Sequence, residues 1–246
     1  MPTAGTLYVI PSTLGPTPPE TAVPLGTLRV ARRLRHFVAE TPKVARQFLK
    51  ALEHPQPLQD IAIAELSEHT PADQVAQLLA PALAGHDLGL VSDAGCPGIA
   101  DPGALLVAAA HRAGVPVVPL AGPSSILLAL MASGLNGQAF AFHGYLPVKG
   151  DERATAIKAL DDIVTRTGAT QIFIETPYRN ESLLLALIAT CRPTTMLALA
   201  IDLTLDSEQV VSRSLAQWQK LPRPLLAKRP AVFLLGRAAV TRRASS

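Results

Sequence analysis

The sequence predicts an α/β protein of two α/β domains, a mainly parallel sheet in residues 1–118 followed by a mixed sheet in residues 119–246. Three observations carry this expectation. Short apolar runs alternate with helix-period segments through the first half, which is the rhythm of βαβ units joined by right-handed crossovers. Those runs are continuously apolar rather than alternating, as suits strands covered on both faces. In the second half several runs lie closer together than a helix would allow, so antiparallel pairing is expected.

Taken in order, the first strand falls at residues 7–10 and runs into a proline-rich stretch, 11–24, expected to be a loop with little regular structure. Strands follow at 37–39, 61–66, 88–92 and 115–120, separated by apolar residues at three- and four-residue steps over 44–52, 72–83 and 104–113. After the boundary come a helix at 126–132, a strand at 140–145 and a polar helix over 151–166. The apolar run 183–189 reads as a buried helix face, and strands are expected at 172–175, 197–201, 209–214 and 231–235. No internal repeat is present.

Composition narrows the class. Of 246 residues, 48% are hydrophobic and 17% charged, which supports a substantial core and argues against disorder. Mean hydropathy is +0.27, but no run approaches the roughly 20 apolar residues of a spanning helix. Residues 7–10 are strand-length and lack a basic leader, so no secretory signal is expected and the chain reads as cytoplasmic, with no membrane partner. Cys96 and Cys191 have neither metal-ligand nor disulfide-framework spacing, which fits a reducing compartment. The formal charge of +3 does not announce a nucleic-acid binder. The bases cluster, however, at Arg29, Arg32, Arg33 and Arg35, and again at Lys220, Arg223, Lys228, Arg229, Arg237, Arg242 and Arg243. Each cluster taken alone reads as a solvated helix face or a frayed tail.

The most informative segment is 90–103, LVSDAGCPGIADPG, where an apolar strand enters a turn-rich loop that opens a helix. Asp101 is expected as the N-cap and Pro102 as the first helical residue. Gly95 and Gly98 permit close backbone approach, and Asp93 offers an acceptor where open α/β sheets bind ligands. A second turn, 120–125 (LAGPSS), repeats the form, with Ser124 and Ser125 as caps or ligand contacts. Neither loop is a dinucleotide or P-loop fingerprint. Glu175 ends a strand beside Pro177, with Tyr178 and Arg179 entering the next helix; Glu40 and Lys43 have the same placement earlier. Glu65, Glu68 and His69 lack a second histidine, so no metal is expected.

Together these segments resemble the tetrapyrrole-methylase superfamily of S-adenosylmethionine-dependent methyltransferases. Within it the sequence is most similar to bacterial enzymes that methylate a cytidine ribose 2′-hydroxyl of small-subunit ribosomal RNA. Six segments match in order: the opening strand from Thr6; the loop 91–103 against VSDAGxPxxxDPG; GPSS at 122–125 followed by ASGL at 132–135; FHGYLP at 142–147; IFIETPYR at 172–179 against IFYESPHR; and Asp202 to Thr204 with Glu208 against RELTK…E. The resemblance implies a homodimer whose two α/β domains form a cleft for S-adenosylmethionine. Carried over by position, it implies cofactor contacts at Asp93, Cys96, Ile99, Ser124, Ser125, Glu175, Ala198, Pro230 and Ala231. Three segments depart from the pattern: PSTLGPTPPE at 11–20 stands for TPIGNLGD, AETPKVARQFL at 39–49 for AEDTRxTxxLL, and IDLTL at 201–205 for RELTK.

A ribose hydroxyl is a poor nucleophile at neutral pH, so a base or charge stabiliser is needed. The catalytic candidates are Glu40, Glu68, Glu175 and Asp93, with Arg179 or Lys43 to position a phosphate of ribosomal RNA or the small ribosomal subunit. Two other functions stay open at this point: methylation of a tetrapyrrole or other small molecule, and a non-catalytic RNA-binding or assembly role on the same fold.

Overall fold

The computed structural model describes residues 4–238; Arg242 and Arg243 of the C-terminal basic cluster lie outside them. The chain divides into two compact units, Met1–Ser124 and Ser125–Ser246. The expected α/β class, with a parallel and then a mixed sheet, is the class observed.

In the first unit five strands, β1 (Leu7–Ile10), β2 (His36–Ala39), β3 (Ala62–Glu65), β4 (Leu88–Val91) and β5 (Val117–Pro119), form a sheet in the order β3-β2-β4-β1-β5. Every pairing in it is parallel. Strand alternation sends side chains to two cores. One gathers Leu7, Val38, Leu88 and Leu90 with α3 (Ala72–Gln77), α4 (Ala80–Leu83) and α5 (Gly103–Arg112). The other gathers Ile10, Phe37 and Val91 with α1 (Leu25–Arg33) and α2 (Pro42–Ala51). On this second face Gly89 has no room for a side chain, since a Cβ would lie 2.7 Å from the Phe37 ring.

The proline-rich segment is the expected loop with one 3-10 turn, Pro19–Thr21, and Arg29, Arg32 and Arg33 of the early basic cluster lie on the nine-residue helix α1, with Arg35 beyond its end. Two local expectations are corrected here. The helix expected over 72–83 is two helices, because Pro81 in the first turn of α4 cannot donate to the preceding turn. Helix α5 starts at Gly103, so Pro102 rather than Asp101 occupies the cap position.

In the second unit β6 (Phe140–Tyr145), β7 (Thr170–Ile174), β8 (Met196–Ile201), β9 (Gln209–Ser214) and β10 (Ala231–Gly236) form a mixed sheet in the order β6-β7-β10-β8-β9. Only β6 and β7 are parallel; β10 runs antiparallel to both β7 and β8, and β8 to β9. The register of β6 shifts between Phe142 and Tyr145 at Gly144, whose φ of 63° suits a bulge. One face packs Phe173, Leu197, Leu199 and Phe233 against α7 (Gly150–Thr167), α8 (Asn180–Thr190) and α9 (Leu215–Lys220). Helix α6 (Ser125–Ser133) packs on β8, β9 and β10.

The helix ends follow local chemistry. Helix α7 opens with Asp151 and Glu152 and closes on Gly168 at φ 70°, as dipole and left-handed capping favour. Helix α9, absent from the sequence expectation, starts on a reciprocal capping box of Ser214 and Gln217. Trp218 on α9 is fully buried and donates its indole N–H to the Leu197 carbonyl at 2.9 Å.

The rings of Phe173 and Phe233 stack 5.9 Å apart across β7 and β10, and both side chains are fully buried. Phe233→Ala is expected to destabilise the chain by about 3–5 kcal/mol, read as a lowered urea midpoint with unchanged slope.

Candidate functional site

In a parallel sheet all strand C-termini point one way, and ligands bind where neighbouring connections leave in opposite directions. In the first unit that place is β1–β4: β1 leads through α1 toward β2 on one side, and β4 leads through α5 to β5 on the other. The two loops leaving β1 and β4 are joined. Ser12, 3% exposed, donates its backbone N–H to the Gly95 carbonyl at 2.9 Å and its hydroxyl to the Ser92 carbonyl at 3.1 Å. Ser92 in turn donates to the Gly95 carbonyl at 2.9 Å. The third loop, after β5, joins them where Cys96 Sγ donates to the Pro123 carbonyl at 3.4 Å.

Within the β4–α5 loop one carboxylate organises the backbone. Asp101 Oδ1 accepts N–H bonds from Gly98 at 2.6 Å and Gly103 at 2.8 Å. Gly98 sits at φ 82°, and a Cβ on Gly103 would lie 2.9 Å from the Gly98 nitrogen. Glycine at these two positions is therefore required by the turn itself. Ile99 remains 49% exposed on this loop, Ser124 is buried and Cys96 half-buried. Burial pushes the Cys96 thiol up, with Asp101 adding to the shift, so Cys96 stays protonated at neutral pH and is a poor nucleophile.

Asp93 is engaged. Its two oxygens accept from the backbone N–H (3.1 Å) and hydroxyl (2.7 Å) of Thr41, which ties the β4 loop to the start of α2. Thr41 occupies the N-cap position of α2 without capping it, because its hydroxyl serves Asp93. Glu40 is exposed beside this pair. Burial of its inner atoms raises its carboxyl above the ordinary value, and Asp93, Asp101 and Glu68 raise it further. Glu68 is itself open to solvent with His69 3.5 Å away. Asp101 is raised by burial and by Asp93, against the lowering effect of its two amide donors. No group of His, Cys, Asp and Glu arranged for a metal ion occurs among the described residues.

In the second unit the corresponding chemistry gathers at one sheet edge, where the ends of β6, β7 and β8 meet the start of β10. Glu175, just beyond β7, has a side chain 1% exposed and accepts from Arg179 Nε at 2.9 Å and Nη2 at 2.7 Å. Burial alone would raise Glu175, but the Arg179 guanidinium and the Thr176 amide outweigh it and hold the carboxyl below its usual value. Pro230 is exposed and Ala231 buried at the start of β10. Ala198 lies inside β8 opposite Leu234 and is fully buried, so it offers no surface to a ligand in this conformation. Ser125 opens α6 and is half-buried.

At this edge the sequence reading gave no role to Asn180 or Arg229, and it named Asp202 and Thr204 only as part of a motif. Asp202 (φ 50°) and Thr204 (φ 71°) adopt left-handed backbone just past β8. Arg229 holds that turn, donating to Asp202 Oδ2 at 2.7 Å and to the Ser207 carbonyl at 2.6 Å. Asn180, fully buried at the start of α8, donates Nδ2 to the Arg229 carbonyl at 2.7 Å, while its Oδ1 has no donor. Asp202 was visible in a motif; Arg229 is 27 residues away and no local signal joins them.

A model of tetrapyrrole (corrin/porphyrin) methylases matches residues 15–219. The chain belongs to that family. Among curated relatives of this chain is a ribosomal RNA small subunit methyltransferase I of Micromonospora olivasterospora, 36% identical over 84% of the chain. Another is the enzyme of the same name from Xylella fastidiosa, 34% identical over 89%. The match spans 62% of the first relative's length and 76% of the second's. Among solved structures, CobJ superposes with a TM-score of 0.63 at 21% identity, covering 98% of both chains. Uroporphyrin-III-C-methyltransferase from Thermus thermophilus superposes at 0.54 and 21% identity, over 95% of this chain and 93% of that one. At these identities the superpositions speak to the fold. No helix among the described residues is long and apolar enough to cross a membrane.

A depressed carboxylate contributes stability above its unfolded pKa and loses it as pH falls through the folded value. Arg179→Met leaves Glu175 buried without its counter-charge. The expected cost at pH 7 is roughly 1–3 kcal/mol, toward the lower end because Arg179 is 40% exposed. Urea titrations across the carboxylate range should show the gap from wild type closing as pH drops; a gap independent of pH would argue against the charge pairing.

Proposed function

We propose that this methylase transfers a methyl group from S-adenosylmethionine to a ribose 2′-hydroxyl of small-subunit ribosomal RNA, in the cytoplasm and as a homodimer. The observation that carries the cofactor is the Asp101-organised loop 92–102, set at the β1–β4 point of the parallel sheet. The acceptor rests on the names of the curated relatives. The free thiols of Cys96 and Cys191 suit a reducing compartment.

The residues present fit such a ligand. In the first unit, Ile99 leaves apolar surface open beside backbone groups of the glycine turn. In the second, Pro230 leaves exposed surface at the start of β10, where the ends of β7 and β8 meet it. The cofactor supplies a methyl already activated as a sulfonium, so the protein's work is to orient the acceptor, keep water out and remove one proton. Asp93, Cys96, Ile99, Ser124 and Ser125, with Glu175, Pro230 and Ala231, are the proposed cofactor contacts. Glu40 is the proposed base: its raised carboxyl retains a proton more readily than an ordinary glutamate, which brings it nearer the basicity that hydroxyl activation needs. Glu68 and Asp93 then act on Glu40 through charge, and Arg179 remains the partner of Glu175.

Calorimetric titration with S-adenosylmethionine and S-adenosylhomocysteine tests the cofactor. Binding by the wild type that is lost in Ser124→Leu/Ser125→Leu supports it, and no binding by the wild type sinks it. A raised carboxylate contributes most stability below its unfolded pKa and loses it as pH rises through the folded one. Glu40→Gln is therefore expected to hold or raise Tm at pH 7 while slowing methyl transfer by about 10²–10⁴-fold. Turnover at the wild-type rate would exclude Glu40 as the base.

A further inference from the structure

Residues 21–52 hold seven of the chain's 22 Lys and Arg but one of its 19 Asp and Glu. That segment has a formal charge of +6, and the rest of the chain −3, although the whole is only +3. The fold turns this sequence asymmetry into a surface. Helices α1 and α2 lie on one face of the parallel sheet and bury Leu28, Ala31, Phe48 and Leu49 in a shared core. Arg32 bridges them, its Nε donating at 2.6 Å to the Leu52 carbonyl that ends α2. With the apolar stripes spent inward, Arg29 and Arg33 on α1 and Lys43, Arg46 and Lys50 on α2 are all exposed, and neither helix contains an acid.

The α2 bases recur at three- and four-residue steps, so they share one helix face about 10 Å long. It begins next to Thr41, which Asp93 holds, and Glu40, whose carboxyl feels the Asp93 charge. Arg33 is partly committed, to the Tyr8 hydroxyl at 2.6 Å and to Asp87 at 3.8 Å. Arg29, Arg35, Lys43, Arg46 and Lys50 have no carboxylate within ion-pair distance among the described residues. A face that serves only solubility is expected to mix both signs; a single-sign face leading to a reactive edge is the electrostatic footprint of a polyanion.

We infer that the outer face of α1 and α2 is the surface along which the RNA acceptor lies, its phosphates neutralised by Arg29, Arg46 and Lys50 so that a nearby ribose reaches Glu40. This rests on the acceptor proposed above. Such contacts hold phosphates and carry no base readout, so they set affinity and position rather than sequence preference.

The test is the salt dependence of binding to naked bacterial small-subunit ribosomal RNA, measured for wild type and for Arg29→Gln/Arg46→Gln/Lys50→Gln. Three lost phosphate contacts make the slope of log K against log salt shallower by about 2. That corresponds to roughly hundredfold weaker binding at 0.1 M salt for equal affinity at 1 M. Tm and S-adenosylhomocysteine affinity are expected to stay at wild-type values. Should the triple variant unfold, the three single variants, each shallower by about 0.7, decide the question. An unchanged slope overturns the assignment. So does an equal loss in Lys158→Gln/Arg166→Gln/Lys220→Gln, which removes the same charge from exposed sites in the second unit. Heparin binding with the same slope and the same loss makes the face a generic polyanion surface and also overturns it. A wild type that binds RNA with the expected slope but no S-adenosylmethionine would leave this surface standing and sink the methyltransferase reading. RNA methylation by the triple variant at wild-type affinity and slope would do the reverse.

Discussion

The two hydrogen bonds that Ser12 makes across the ends of β1 and β4 are the constraint on which the first unit's chemistry depends. Strand ends in a parallel sheet release backbone groups that the ladder no longer pairs, and buried carbonyls cannot be left without donors. Ser12 answers the carbonyls of Ser92 and Gly95, so the β4 loop is anchored before it turns at Gly98. From that anchor Asp101 folds the remainder back on itself through the amides of Gly98 and Gly103. The loop is thus held by short polar bonds, with Cys96 joined to the Pro123 carbonyl and the apolar Ile99 left exposed.

The second unit solves the same strand-end problem with charge. Antiparallel connections beyond β8 are too short for a helix, and the chain reverses through left-handed Asp202 and Thr204, a conformation costly for residues with a Cβ. Arg229 offsets that cost by joining Asp202 to the Ser207 carbonyl. Glu175 and Arg179 do comparable work beyond β7. Both pairs are buried on the carboxylate side, where removing one partner costs more than the pair contributes.

Carboxylates dominate the C-terminal end of the parallel sheet, while the face carrying α1 and α2 is basic. The two features meet at Thr41, which is both the N-cap residue of α2 and the donor to Asp93. An anion drawn to the basic helices is repelled by Glu40, Glu68 and Asp93 at close range. A neutral hydroxyl near a phosphate is not, and that selectivity follows from charge placement alone.

Periodicity and continuous apolar runs determined the two sheets, their parallel and mixed character and the positions of the strands along the chain, because hydrophobic patterning is a local property. Motif likeness likewise singled out the loop 90–103, whose glycines and Asp101 act within a few residues of one another. What the sequence could not declare were pairings set by packing. Thr41 reaches Asp93 across 52 residues and Asn180 reaches the Arg229 carbonyl across 49. The cap at α5, the break at Pro81 and the burial of Ala198 inside β8 were likewise settled by neighbours distant in sequence or by exact backbone geometry. Only the tertiary structure decides which strand ends share an edge, since that depends on sheet order. The sheet order β3-β2-β4-β1-β5 is chosen by the summed packing of two helix layers rather than by any single segment.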